Sequence, residues 1–309
     1  MSLKSAMKNV PLVVSAVRGA RRAKNAISTL GSPFVRHFPG GHFYSPLPGK
    51  EDVAFNRSHV FLDPRSGGVD LNEDVQLGLL ESMSGFYEGI PFEEEKADGL
   101  LYYYDNDFFR YSDAIVLYGI ISVFRPSKII EVGSGFSSAV MMDIQNYNND
   151  CDIDLVFIDP YADRLKSVIS DASVTNVSII ESGVQYVDID LFSGLNEDDI
   201  LFIDSSHVVK AGSDVKYIFS DIIPILKKGV LVHIHDIMWP FEYPDEWTDV
   251  GTAWNESYFV RSFLQYNDSF EIVYFNSFMN QEHRGAVGSK MPLCLKDDGG
   301  SLWLRRVRD

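Results

Sequence analysis

From Lys128 onward the chain alternates short apolar runs with longer stretches of mixed polarity. The runs predict strands over about 128–132, 154–158, 177–181, 200–204 and 230–235. Each is rich in Val, Ile, Leu or Phe without a polar face, as expected of strands covered on both sides. Helices are predicted between them. The best marked runs from Ser213 to Leu226, where Lys227, Lys228 and Gly229 give a basic last turn and a glycine stop. A helix over about 252–266 and strands near 270–275 and 301–305 follow, with Asp297-Asp-Gly-Gly300 as the turn before the last strand. This alternation predicts an α/β fold with a parallel sheet and right-handed crossovers.

The first third reads differently. Residues 1–30 look helical and basic, and 31–70 form an ordered loop rich in Gly, Pro and aromatics around Phe43-Tyr-Ser-Pro-Leu-Pro48. Leu71, Val75, Leu79 and Met83 recur at helical spacing. Glu93-Glu-Glu95 reads as a solvated turn. Tyr102-Tyr-Tyr104 and Phe108-Phe109 lead into a helix from about Asp113 to Phe124, which ends before Pro126. Two parts are therefore expected: an N-terminal arm and extension over 1–104, and a sheet domain over 105–309.

Composition narrows the function classes. The 45% apolar and 23% charged fractions are those of an ordinary globular protein, and no apolar run is long enough to span a membrane. Cys151 and Cys294 are too few for a disulfide framework and fit no metal motif, which suggests a reducing cytoplasm. Pro11 to Val17 is a short apolar core followed by Arg18, Arg21 and Arg22, so no signal peptide is expected. Lys4, Lys8, Arg18, Arg21, Arg22, Lys24 and Arg36 make residues 1–40 purely cationic at +7. The net −17 then leaves −24 on the rest, a body that does not suit nucleic acid. The arm suits peripheral contact with an anionic membrane surface or an acidic partner, or simply a solvated helix.

Candidate chemistry gathers at the ends of the predicted strands, where open parallel sheets bind ligands. After the first strand, Ile129-Ile-Glu-Val-Gly-Ser-Gly-Phe-Ser-Ser138 reads as strand, glycine turn and helix start. Gly133, Ser134 and Gly135 allow close approach of a nucleotide cofactor. Ser137 and Ser138 offer hydroxyls and free N–H groups at the helix start for a carboxylate. Asp159, 24 residues beyond Gly135, suits a ribose diol. Ser182, Gly183 and Val184 could border an adenine. A nicotinamide fingerprint would want glycine where Ser138 stands, and it has no use for Glu131. The chain resembles the class I S-adenosylmethionine-dependent methyltransferases over about residues 105–305. Residues 129–138 are similar to that family's first motif and Phe157-Ile-Asp-Pro-Tyr161 to its second. Phe202-Ile-Asp-Ser-Ser-His207, Val232-His-Ile-His-Asp236 and Gly300-Ser-Leu-Trp-Leu304 are similar to the ends of strands four and five and to the last strand. Tyr44-Ser-Pro46, Asn106-Asp107 and Asp113-Ala114 resemble upstream motifs of a bacterial subgroup of uncharacterised methyltransferases. The resemblance implies a Rossmann-like sheet of order 3-2-1-4-5-7-6 with strand seven antiparallel. It implies S-adenosyl-L-methionine as cofactor, held by Glu131, Gly133, Ser134, Gly135, Ser137, Asp159, Tyr161, Ser182, Gly183 and Asp204.

Methyl transfer needs alignment, water exclusion and, for an oxygen or nitrogen acceptor, loss of a proton. His207, His235 and Asp236 are the catalytic candidates. His233 shares a face with His235 and is read as a core histidine. Asp204, His235 and Asp236 are the candidate ligands of a divalent, Mg-like metal, since metal-dependent O-methyltransferases carry theirs at these two strand ends. There the fifth strand ends Asp-Asp or Asp-Asn, where this chain has His235-Asp236. The aromatic loop Trp239-Pro-Phe-Glu-Tyr-Pro-Asp-Glu-Trp247 is expected over the pocket, or equally buried against the N-terminal segment, and residues 102–111 are expected as the pocket's other wall. The expectation is O-methylation of a small-molecule or glycan-like acceptor. A nicotinamide-dependent oxidoreductase and a non-catalytic cofactor-binding module are the alternatives. The sequence leaves the oligomeric state open.

Overall fold

The computed structural model describes residue 24 and residues 27–29, 32–59, 67–147, 152–169 and 176–308. Lys4, Lys8, Arg18, Arg21, Arg22, the side chain of Arg36, and Cys151 lie outside the described residues, and with them most of the cationic arm. The chain divides into two bodies, one of residues 1–61 with 245–253 and one of residues 62–244 with 254–309. In the smaller, helices span Pro33–His37, Lys50–Ser58 and Asp245–Asp249. Arg57 ties the last two together through Asp245 at 3.0 Å and Asp249 at 2.8 Å. Among the described residues no helix is long and apolar enough to cross a membrane.

The larger body holds the sheet. Its strands are β1 (Lys128–Val132), β2 (Asp154–Ile158), β3 (Val177–Ile180), β4 (Ile200–Ile203), β5 (Leu231–Ile234), β6 (Phe270–Phe275) and β7 (Leu302–Arg306). Their order is β3-β2-β1-β4-β5-β7-β6, and β7 runs antiparallel to both neighbours. This is the predicted topology. β4 and β5 are buried along their whole length, and β1 and β2 beyond their first residue. β3 is only half-covered because it is the sheet's edge. Val132, Ile158, Ile203 and Ile234 end parallel strands, so the residues after them share one edge of the sheet.

The helices are α1 (Glu73–Ser84), α2 (Tyr111–Phe124), α3 (Phe136–Tyr147), α4 (Asp163–Val168), α5 (Asp190–Ser193), α6 (Asp214–Tyr217), α7 (Glu256–Leu264), α8 (Asn276–Glu282) and α9 (Arg284–Lys290). α2 is apolar nearly all round and correspondingly buried. Its Gly119 faces Met83 of α1 so closely that a Cβ would meet the thioether at 2.8 Å. Gln76 of α1 also accepts from the backbone N–H of Phe275 at 2.8 Å. The boundary expected at residue 104 therefore falls inside the larger body: Leu79, Leu80 and Met83 belong to its core.

Two further expectations change. The helix predicted from Ser213 is capped there, Ser213 accepting from Lys216 N–H, but it becomes a π turn over Ile218–Ile222 and a 3₁₀ turn over Ile223–Ile225. Pro224 lacks the N–H that would continue the α ladder. Between β6 and β7, where the sequence reading assigns only the turn at 297–300 and leaves 276–296 without an element, lie α8, α9 and a 3₁₀ turn over Pro292–Lys296. Met279, Val287 and Met291 recur there at multiples of four and are all buried.

Candidate active site

A cleft of about 900 Å³ opens at the carboxyl edge of the sheet, lined from Gly133 and Asp159 at one end to Asp236 and Trp254 at the other. Gly133 carries φ +88°, and a Cβ on it would lie 1.9 Å from the Asp204 carbonyl oxygen. Only glycine fits where the β1 turn crosses the end of β4. Ser134 lies beside Asp159, whose Oδ2 accepts from Ser134 N–H at 3.1 Å and Ser134 Oγ at 2.8 Å. Tyr161 N–H donates to Asp159 Oδ1 at 2.7 Å. The β1 and β2 turns are thus locked together by the carboxylate expected to meet a ribose. Tyr161 and Gly183 line the same end, whereas Ser182 lies just outside the lining.

Glu131 and Ser137 do not meet the cleft as expected. Glu131 is fully buried, and the Ser137 and Ser138 hydroxyls both donate to its carboxyl. Gly135 N–H in turn donates to Ser138 Oγ at 3.0 Å. The acid shapes the loop from beneath because α3 starts directly above it. Burial raises the Glu131 carboxyl, against the pull of Ser137 and Ser138, to about 8. The folded group keeps its proton at neutral pH, while an unfolded glutamate loses it above about 4.3. The native state then binds the extra proton between these values, so stability falls as pH rises from about 4.5 to 8. Glu131→Gln is expected to remove this slope. Calorimetric melts of cofactor-free protein should show the variant gaining on the wild type across that window, by on the order of a few kcal/mol. Parallel pH curves would contradict it.

At the other end, His207 stands among carboxylates. Nδ1 lies 2.9 Å from Glu256 Oε2, and Nε2 lies 3.4 Å from both Asp204 Oδ1 and Asp236 Oδ2. His207 and Glu256 are buried. Burial would lower the imidazole, but the facing carboxylates of Asp204, Glu256 and Asp236 outweigh it and carry the ring up to about 10. His207 and Asp236 both hold left-handed backbone, φ +58° and +56°, a conformation that costs non-glycine residues energy and gathers at functional sites.

One segment holds this corner. Asn255 and Glu256 N–H both donate to the His207 carbonyl, at 3.1 and 3.2 Å. The Asn255 amide brackets Val209, accepting from its N–H at 2.6 Å and donating to its carbonyl at 3.3 Å. The Trp254 ring lies 4.3 Å from that of His207. The Glu256 contact escaped sequence reading; the available signal was an acid in the first turn of the helix predicted over about 252–266.

His235 lines the cleft, but its Nε2 is 3.8 Å from Asp236 Oδ1 and, among the described residues, its Nδ1 has no hydrogen-bond partner. The donor atoms that converge within 4.8 Å belong to Asp204, His207 and Asp236, so the expected Asp204–His235–Asp236 set is not the one brought together. His233 is a core residue, its ring 3.6 Å from Phe202 and its Nε2 2.9 Å from Ser301 Oγ. Asp113 holds the neighbouring β7 turn by accepting from Gly300 N–H at 3.0 Å and from Ser301 N–H at 3.0 Å and Oγ at 2.6 Å. The Gly300 carbonyl accepts from Ile237 N–H at 2.9 Å, just beyond Asp236.

The aromatic walls are smaller than expected. Trp239 and Phe241 turn into the core against Phe275, away from the cleft. Of residues 102–111 only Phe108 lines it, with Arg164 stacked on its ring at 3.8 Å. Asn106 shapes that turn, its Oδ1 accepting from Phe108 and Phe109 N–H at 2.9 and 2.8 Å.

Residues 130–237 match a family model described as a methyltransferase domain. An uncharacterized protein of Archaeoglobus fulgidus is 34% identical over 169 residues, which cover 53% of this chain and 76% of that protein. Among solved structures, SAH-bound methyltransferase PaMTH1 of Podospora anserina is similar at 14% identity and a TM-score of 0.42. That match covers 84% of this chain and 97% of the other. The O-methyltransferase TomG of Streptomyces achromogenes, in complex with SAM, is similar at 13% identity and a TM-score of 0.40, with the same coverage of 84% and 97%. By its strand order, its glycine turn beside Asp159 and the family match over its strand ends, the chain belongs to the class I S-adenosylmethionine-dependent methyltransferases.

Proposed function

We propose that this enzyme transfers the methyl group of S-adenosylmethionine to an oxygen of a small-molecule or glycan-like acceptor, at the Asp204–His207–Asp236 end of the cleft. The observation that carries the reading is the single cleft joining that cluster to Gly133, Asp159 and Gly183. In this reading the ribose diol donates to Asp159, the adenine lies against Gly183 and Val184, and the methionine end follows the loop at Gly133–Gly135 toward the N-terminus of α3. Held this way, S-adenosylmethionine would supply its methyl group to an acceptor oxygen at the Asp204 edge and leave as S-adenosylhomocysteine, the new C–O bond replacing the broken C–S bond. The oxygen's proton passes to the carboxylate edge and on to solvent. His207, oriented by Glu256 through Nδ1, positions this edge; His235 walls it. Asp204 and Asp236 suit a divalent cation, which when bound would lower the pKa of the acceptor hydroxyl. Trp254 suits stacking on a sugar or aromatic acceptor. The two-cysteine composition fits a cytoplasmic site of action.

Titration calorimetry tests the cofactor half. S-adenosylhomocysteine should bind one per chain and NAD should not. Asp159→Ala should weaken S-adenosylhomocysteine about 10–100-fold, the worth of hydrogen bonds to a charged group. Binding of NAD, or indifference to Asp159→Ala, would sink the assignment.

A further inference from the structure

Two imidazoles reach the strand-end carboxylates, and only one is held in place. We infer that His207 joins Asp204 and Asp236 in binding a divalent cation, that Glu256 fixes the ring for this, and that the resulting set favours a first-row transition ion such as Mn²⁺ over Mg²⁺. The inference rests on the acceptor-site reading for its use in catalysis, while the binding itself is independent of it.

Distances carry the first step. A charge-assisted hydrogen bond between imidazolium and carboxylate closes to about 2.7–2.9 Å. His207 Nε2 does so with neither aspartate; it sits 3.4 Å from an oxygen of each. Ligands about 2.0–2.2 Å from one ion, with bonds roughly at right to tetrahedral angles, stand about 3.0–3.5 Å apart. Both His207 spacings fall in that range, and the three donor atoms all lie within 4.8 Å of one another.

Orientation carries the second. A metal-bound histidine commonly donates its other ring N–H to a carboxylate, which fixes the tautomer and raises its basicity. Glu256, fully buried, takes this place 2.9 Å from His207 Nδ1 and leaves Nε2 for the ion. The backbone bonds from Asn255 and Glu256 to the His207 carbonyl hold the ring's base. Among the described residues His235 has no such support: its Nδ1 is unpartnered and its Nε2 stands off Asp236. Charge points the same way, since three carboxylates surround one imidazole. Selectivity follows from the donor set. Mg²⁺ prefers an all-oxygen shell that keeps several waters, whereas imidazole raises affinity along the first-row series.

The test uses the full chain, dialysed against chelator and titrated with MnCl₂ or MgCl₂ by calorimetry. One Mn²⁺ should bind per chain, at least about tenfold tighter than Mg²⁺. Glu256→Gln, which keeps the buried shape, should weaken Mn²⁺ about 10–100-fold. Pulsed electron paramagnetic resonance of bound Mn²⁺ should show ¹⁴N coupling in the wild type and in His235→Ala. His207→Ala should lose the coupling or the ion. Coupling that survives His207→Ala or vanishes in His235→Ala would overturn the inference. So would Mg²⁺ binding as tightly as Mn²⁺, or no binding at all. S-adenosylhomocysteine binding in chelator separates the two readings: if it persists while Mn²⁺ fails to bind, only the cation site falls.

Discussion

Asp236→Ala is expected to slow methyl transfer about 10²–10⁴-fold, the range for losing a group that handles the acceptor's proton, with S-adenosylhomocysteine affinity largely retained. Asp236 sits at the cleft's acceptor end, with Oδ2 near His207 and backbone pressed against Gly300, whose Cβ would stand only 3.3 Å from Asp236 N and Cα. Asp113 holds Gly300 in turn. The aspartate is therefore placed by the body of the fold and not by its own side-chain contacts, and removing the carboxylate should leave the backbone in place. Alanine tolerates φ +56° less well than aspartate, so Asp236→Asn is the companion variant. It keeps shape and backbone preference and removes only the charge. Both should lose label transfer from methyl-tritiated cofactor to a hydroxyl acceptor. Full turnover in either variant would remove Asp236 from the chemistry.

Gly133→Ala is expected to abolish cofactor binding, with affinity for S-adenosylhomocysteine falling more than about 100-fold, and to cost about 3 kcal/mol of stability. The obstacle is backbone. The new Cβ would stand 1.9 Å from the Asp204 carbonyl oxygen, and Asp204 cannot retreat, because its N–H donates to the Val132 carbonyl at 2.8 Å. The turn of β1 and the end of β4 would have to part at the floor of the cleft. Gly135 supplies the control. Its backbone is ordinary, and a Cβ there would meet only the Arg164 side chain, at 3.1 Å. Gly135→Ala should therefore stay near wild type in Tm and bind cofactor far better than Gly133→Ala. Equal damage from both would mean that the loop, and not this one crossing, sets the requirement.

How much of this was legible in the sequence follows from what burial does to a residue pattern. Strands covered on both faces must be apolar throughout, so β1, β2, β4 and β5 announce themselves, and their ends name Gly133, Asp159, Asp204 and Asp236. Contacts that cross the fold leave no such trace. Glu256 is 49 residues from His207, and only the packing of α7 against the β4 loop brings them together. The pairing of His207, in place of His235, with the two aspartates is likewise a matter of side-chain direction, set by a left-handed backbone that no periodicity reveals. Glu131 and Ser137 lie on either side of the glycine turn, as their sequence positions require, but one turn of helix decides whether they face the cleft or lie beneath it. The aromatic loop misled for a simple reason: Trp239 and Phe241 are as well suited to a core as to a pocket wall, and the core had room.

A crystal structure with S-adenosylhomocysteine bound tests the central claim most directly. The ribose hydroxyls should lie on Asp159, the adenine beside Val184, and the sulfur should face Asp204, His207 and Asp236. A sulfur turned away from that cluster, or a ribose not held by Asp159, would contradict it.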